Sequence, residues 1–220
     1  MSAERRAAAI QSMAFLALAA ALLFGAAGRL DFWNFWAYLA IFAMVFAALL
    51  ATISSDLIRE RMRPGGRRPT QLYLATAVIF VHFAVAGLDR GRMHWSDTVP
   101  LPVEVAGLVL FALGNMASVW IVSVNPYFSS EVRIQKDRGQ TVISTGPYAW
   151  VRHPGYAAGF AVLLASGPAL GSWIATAVIL VILPLLLWRT FGEDRLLRAE
   201  LDGYQAYAER VRWRLLPGVW

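Results

Sequence analysis

The chain has 220 residues, 58% of them hydrophobic and only 15% charged, with a net charge of +6 that is almost all arginine. A charged fraction well below the roughly 25% of soluble domains, with apolar residues in long blocks, predicts a single integral membrane domain and sets nucleic acid aside as a partner. Cysteine is absent, which excludes disulfides, thiolate metal sites and a cysteine nucleophile, and His82, His94 and His153 lack ligand spacing, so no metal is expected.

Apolar windows long enough to cross a core of about 30 Å stand at 8–28, 32–54, 71–88 and 100–122. The first block, 7–27, is too long for a signal-peptide core and lacks a cleavage pattern, so it reads as a retained first span. The basic run from Arg59 to Arg68 reads as a topology determinant or a contact with lipid headgroups. His82 and Asn115, inside the third and fourth windows, read as interhelical hydrogen-bonding groups.

The stretch 123–153 is polar, carries Gly139 and Gly146-Pro147, and cannot span. Beyond it the apolar region 155–188 is too long for one helix and is interrupted by Gly167-Pro168 and Gly171-Ser172. It predicts a helical hairpin with arms at 155–167 and 172–190. In the tail, 193–210, Leu196, Leu197, Leu201, Tyr204 and Tyr207 recur at three- and four-residue spacing among charges, which predicts an amphipathic helix on the membrane surface or over a site. The expected fold class is all-α: a polytopic transmembrane helix bundle with a C-terminal helical hairpin and an amphipathic cytoplasmic tail helix.

Charge placement orients this map. With both termini cytoplasmic, the cytoplasmic segments hold seventeen of the 20 basic residues, leaving Arg29, Arg90 and Arg92 outside. Both segments with the strongest chemical signal then fall on the cytoplasmic side. One is Gly146-Pro147-Tyr148 followed by Arg152-His153-Pro154-Gly155-Tyr156; the other is Arg189 with Glu193-Asp194, directly after an apolar run.

Charged groups beside apolar spans are costly and mark function by default. Pro154 suits the first turn of a helix with His153 near its cap, and a helix N-terminus attracts anionic groups. The plainer alternative makes Arg152-His153 an interface anchor, Arg189 and Glu193 an intrahelical ion pair, and Tyr148, Trp150 and Tyr156 members of an aromatic belt.

Together with Gln140-Thr141-Val142-Ile143 and Tyr204-xx-Tyr207-xx-Arg210-Val211, these elements resemble, in order and spacing, the isoprenylcysteine carboxyl methyltransferase family, within the membrane methyltransferases that include phospholipid N-methyltransferases. The resemblance covers about 130–218; the first four windows match only in being hydrophobic. It implies that 123–220 forms the cofactor-binding segment, hairpin and tail. It further implies S-adenosyl-L-methionine held by Gln140, Thr141, Val142, Ile143, Tyr148, His153, Pro154, Gly155, Tyr156 and Glu193, with Arg189 on the methyl-accepting substrate. The family often has histidine where Gln140 stands and a Glu-Glu pair where this chain has Glu193-Asp194.

A carboxylate acceptor is already ionised at neutral pH, so methylating it needs no general base, only alignment and exclusion of water. A lipophilic acceptor entering laterally from the bilayer, with a soluble cofactor entering from the cytoplasm, fits this placement. A lipid amine acceptor, a sterol-reductase-like oxidoreductase and a non-catalytic membrane protein are the competing readings. The first gains little from Arg189, and the second lacks a recognisable phosphate-binding pattern.

Overall fold

The computed structural model describes residues 2–66 and 71–220; Arg67 and Arg68 of the basic run lie outside the described residues. The fold is all-helical, with no strand among the described residues. Helices α1 (Ala3–Ala27), α2 (Trp33–Thr52), α3 (Ser55–Met62), α4 (Gln71–Leu88), α5 (Leu101–Val124), α6 (Pro154–Ala169), α7 (Trp173–Leu180), α8 (Leu183–Glu200) and α9 (Tyr204–Arg210) follow one another in the chain.

Among the described residues, five segments are long and apolar enough to cross a membrane: α1, α2, Tyr73–Met93, α5, and Trp173–Glu200, which joins α7 to α8. Large apolar side chains such as Ile10, Met44, Leu74, Leu113 and Val181 stay exposed on the bundle, as expected where lipid rather than water covers the surface. The protein is an integral membrane protein. Helix α6, with 16 residues, is about 24 Å long at 1.5 Å per residue, slightly short of a full crossing.

Four boundaries differ from the sequence expectation. Ser54 caps α3 by accepting from the Leu57 N–H at 3.1 Å, so the basic run begins in a short helix that follows the second span. The third span continues beyond Leu88 as a wider turn, Asp89–Met93. The second arm of the hairpin breaks at Val181-Ile182, just before Pro184 at the start of α8, because proline cannot continue the preceding hydrogen-bond ladder. The tail is not one helix over 193–210. Glu193 and Asp194 belong to α8, and Gly203, with φ of 78°, turns the chain into the separate α9.

The bundle interior is aromatic, with Phe42, Phe83 and Phe111 packed around Tyr38, which stacks on Phe111 at 4.1 Å between ring centroids, and with Phe15 against Phe42 and Phe83. One polar chain crosses it. The His82 Nδ1–H donates to the Ala175 carbonyl at 2.9 Å; with a neutral imidazole, Nε2 then accepts from Ser166 at 2.8 Å, and Tyr38 donates to Ser166 at 2.6 Å. This chain joins α2, α4, α6 and α7, as read for His82. Asn115 departs from that reading, since its amide donates within α5 to the Phe111 carbonyl.

Asp89, Ser96, Ser172, and the Arg90–Glu104 pair at 2.9 Å gather at one end of the bundle. At the other end α3 is tied to the polar segment that follows α5. Glu60 accepts from Arg133 at 2.9 and 2.8 Å and from Ser129 at 2.9 Å, and Arg138 pairs with Asp56. This strap closes one side of the cavity described next.

Candidate functional site

A cavity of about 350 Å³ opens between α3, the polar segment 125–143, the start of α6, the length of α8 and α9. Its size lies within the range of small-molecule sites. Every residue singled out for cofactor or acceptor lines it: Gln140, Thr141, Val142, Ile143, Tyr148, His153, Pro154, Gly155, Tyr156, Arg189 and Glu193. The two motif segments, separated by the hairpin in sequence, therefore share one cavity. One part of the wall is apolar, with Ala75, Ile182, Leu185 and Leu186; another carries Glu193, Tyr204 and Tyr207.

The centre of the cavity is built by helical geometry. Arg189 and Glu193 are four apart on α8 and so share a face. Tyr156, in the first turn of α6, reaches between them: its hydroxyl donates to Glu193 Oε2 at 2.7 Å and accepts from Arg189 Nε at 3.3 Å. Arg189 also donates to the Ser130 carbonyl at 3.0 Å. Tyr148 is fixed from two sides, its hydroxyl accepting from Asn125 at 2.9 Å and its carbonyl from Tyr207 at 2.7 Å. Burial pushes its phenol above the ordinary range, opposed only in part by the Asn125 bond, so it stays neutral.

His153 takes the N-cap position and Pro154 the first turn of α6, as the sequence indicates. The imidazole, however, points at protein: Nε2 lies 3.0 Å from Asp194 Oδ1, and the residue is 4% exposed. Asp194 is the centre of a buried hub. It also accepts from Arg152 at 2.8 Å, Tyr204 at 3.1 Å, Arg214 at 3.1 Å and Arg198 at 3.2 Å. Arg152 completes its valence on the carbonyls of Val211 and Arg212. Arg152 is thus no exposed interface anchor; it ties the tail onto α6. Gln140 likewise spends its side-chain oxygen on the Gln135 N–H at 2.7 Å, which closes the turn before Thr141.

Sequence reasoning missed Arg61 of α3, Asn125, and Tyr127 to Arg133, which also line the cavity. Asn125-Pro126 signals a turn after a span, but nothing in the sequence links that turn to α3. No group of three His, Asp or Glu arranged to hold a metal occurs among the described residues.

Residues 105–199, from the first turns of α5 nearly to the end of α8, match the model of the isoprenylcysteine carboxyl methyltransferase (ICMT) family. The match spans less than half of the chain and is a resemblance to that family. The match covers α5, the strap, the hairpin and the helix carrying Arg189 and Glu193, and leaves α1 to α4 and α9 outside it. The chain is also similar to the cobalt-zinc-cadmium resistance protein CzcN of Cupriavidus metallidurans, with 26% identity over 137 residues, 60% of this chain. It spans 58% of the length of that relative.

Proposed function

We propose that the protein is an S-adenosyl-L-methionine-dependent O-methyltransferase that acts on the carboxylate of a lipophilic, isoprenylcysteine-type acceptor at the cytoplasmic side of the membrane. The observation that carries this reading is the arrangement of Arg189, Tyr156 and Glu193 in one cavity between an apolar wall and a polar one. A cation for an acceptor carboxylate and a carboxylate for a polar cofactor stand within two hydrogen bonds of each other. The charge bias toward one membrane side supports the cytoplasmic placement.

The residues present suit the cofactor. Glu193 offers an acceptor for hydroxyl or ammonium groups, Leu197, Leu201 and Val142 offer apolar surface, and the first turn of α6 at Gly155 offers a backbone approach. Because His153 is held by Asp194, and Tyr156 and Ala157 donate their N–H groups to the His153 carbonyl, the anion-binding share falls to the Gly155 N–H more than to the imidazole. The chemistry supplied there by bound S-adenosyl-L-methionine is an electrophilic methyl carbon. Arg189 pairs with the acceptor carboxylate and fixes its orientation, while Tyr156 and the Ser130 carbonyl fix Arg189 in turn. The buried tyrosines and the strap exclude water, so that alignment supplies the rate.

Transfer of labelled methyl from S-adenosyl-L-methionine to N-acetyl-S-farnesyl-cysteine by the detergent-purified protein tests the proposal. A base-labile methyl ester as product supports it. Methylation of phosphatidylethanolamine instead would move the reading to N-methylation.

A further inference from the structure

One cation of the cavity has no role in this reading. Arg61 comes from α3, far upstream of the family match, yet it lines the same cavity as Arg189. Its guanidinium lies over the Phe128 ring at 5.2 Å and donates to the Phe128 carbonyl at 3.3 Å. The ring of Phe128 in turn covers the start of α6 so closely that a Cβ on Gly155 would stand 2.5 Å from it. Arg61 and Phe128 thus form the part of the cavity wall beside the α6 turn.

Arg61 makes no ion pair among the described residues, and no undescribed residue is acidic. Of the acids nearby, Glu60 is engaged by Arg133 and Ser129 and Glu193 by Tyr156, while Glu131, which lines the same cavity, makes no ion pair with Arg61. Arg133 and Arg152, which line the same cavity, each have a carboxylate partner. Burial lowers the pKa of Arg61 with no opposing acid. A half-buried guanidinium without an anion is costly, and stacking on an aromatic ring offsets only part of that cost.

We propose that Arg61 is a specificity-determining residue of the acceptor pocket, taking a second oxyanion carried by the lipophilic acceptor apart from the carboxylate at Arg189. The inference rests on the methyltransferase reading. Its geometry is set by one short loop. Arg61 holds the carbonyl of Phe128 and Arg189 that of Ser130, two residues on, so the two donor groups lie at most roughly 14 Å apart. An acceptor with two anionic groups a few bonds apart reaches both.

The test is calorimetric binding of two probes to protein saturated with S-adenosylhomocysteine. N-acetyl-S-farnesyl-cysteine carries one carboxylate and N-succinyl-S-farnesyl-cysteine carries two. The wild type is expected to bind the second about tenfold more tightly, Arg61→Gln to lose that preference, and Arg61→Lys to keep part of it, all with unchanged affinity for S-adenosylhomocysteine. Equal binding of both probes by the wild type would overturn the proposal and leave Arg61 to bilayer headgroups. It would also be overturned if Arg61→Gln weakened both probes alike, or weakened S-adenosylhomocysteine, which would assign Arg61 to structure or cofactor. A retained preference in binding with no methyl transfer to either probe would uphold the second anion site and remove the methyltransferase reading.

Discussion

Glu193 and Asp194 are consecutive acids on one helix, yet they serve opposite ends. Asp194 faces inward, 2% exposed, and is surrounded by Arg152, His153, Arg198, Arg214 and Tyr204. Glu193 faces the cavity, with the Tyr156 hydroxyl as its hydrogen-bond donor. Rotation by about 100° per residue along α8 separates the two environments. One acid is used to hold α6, α8 and the tail together; the other is left available to a ligand. The hub gives the buried Arg152 a counter-ion inside the protein and gathers the half-exposed Arg198 and Arg214 around the same carboxylate.

The largest effect should come from breaking the hub. Asp194→Asn leaves Arg152 buried beside a neutral amide, a change worth about 3–5 kcal/mol. It should lower the unfolding temperature and the folded yield in detergent, read by thermal size-exclusion analysis. Unchanged thermal stability would mean that the acid's partners are adequately solvated without it.

Next in size, Arg189→Ala should reduce methyl transfer by about 100-fold or more while leaving S-adenosylhomocysteine affinity within a few-fold of wild type. Full activity in this variant would remove the carboxylate-orienting role. Glu193→Ala, the cavity counterpart of the hub mutation, should keep the unfolding temperature near wild type. Its cofactor affinity should fall by about 10- to 100-fold, the loss expected for hydrogen bonds to a charged group at about 1.5–3 kcal/mol.

The smallest effect concerns the strap. Burial pushes the Glu60 carboxyl up, but hydrogen bonds from Arg133, the Gly65 N–H and Ser129 outweigh it and hold the pKa below its ordinary 4.5. A depressed carboxylate contributes stability above its unfolded value and loses that contribution as pH falls through the lower folded value. The unfolding temperature of the wild type should therefore drop on acidification below about pH 4.5, and Glu60→Gln should flatten that limb. Parallel curves would show that the strap contributes nothing to stability.

Much of the bundle was legible because hydropathy reports directly on lipid exposure, and the hairpin because Gly167-Pro168 and Gly171-Ser172 interrupt an apolar run. The α7–α8 break was not, since Pro184 sits in an unbroken apolar sequence and only the ladder reveals the interruption. In the site, the shared cavity followed from two charged motifs flanking a hairpin. The division between His153 and Tyr156 did not: their spacing to Glu193 and Asp194 is equally compatible with either pairing, and the roll of α8 decides it. Arg61 was invisible as a cavity residue because its placement depends on Glu60, Ser129 and Ser130 joining α3 to a loop some seventy residues later.

Calorimetric titration of S-adenosylhomocysteine into the detergent-purified protein, run beside Glu193→Ala and Asp194→Asn, tests the central claim most directly. Saturable binding by the wild type, lost in folded Glu193→Ala, is the predicted result, with Asp194→Asn failing through instability instead. A well-folded wild type that takes up no S-adenosylhomocysteine would contradict the assignment of this cavity to a methyl donor.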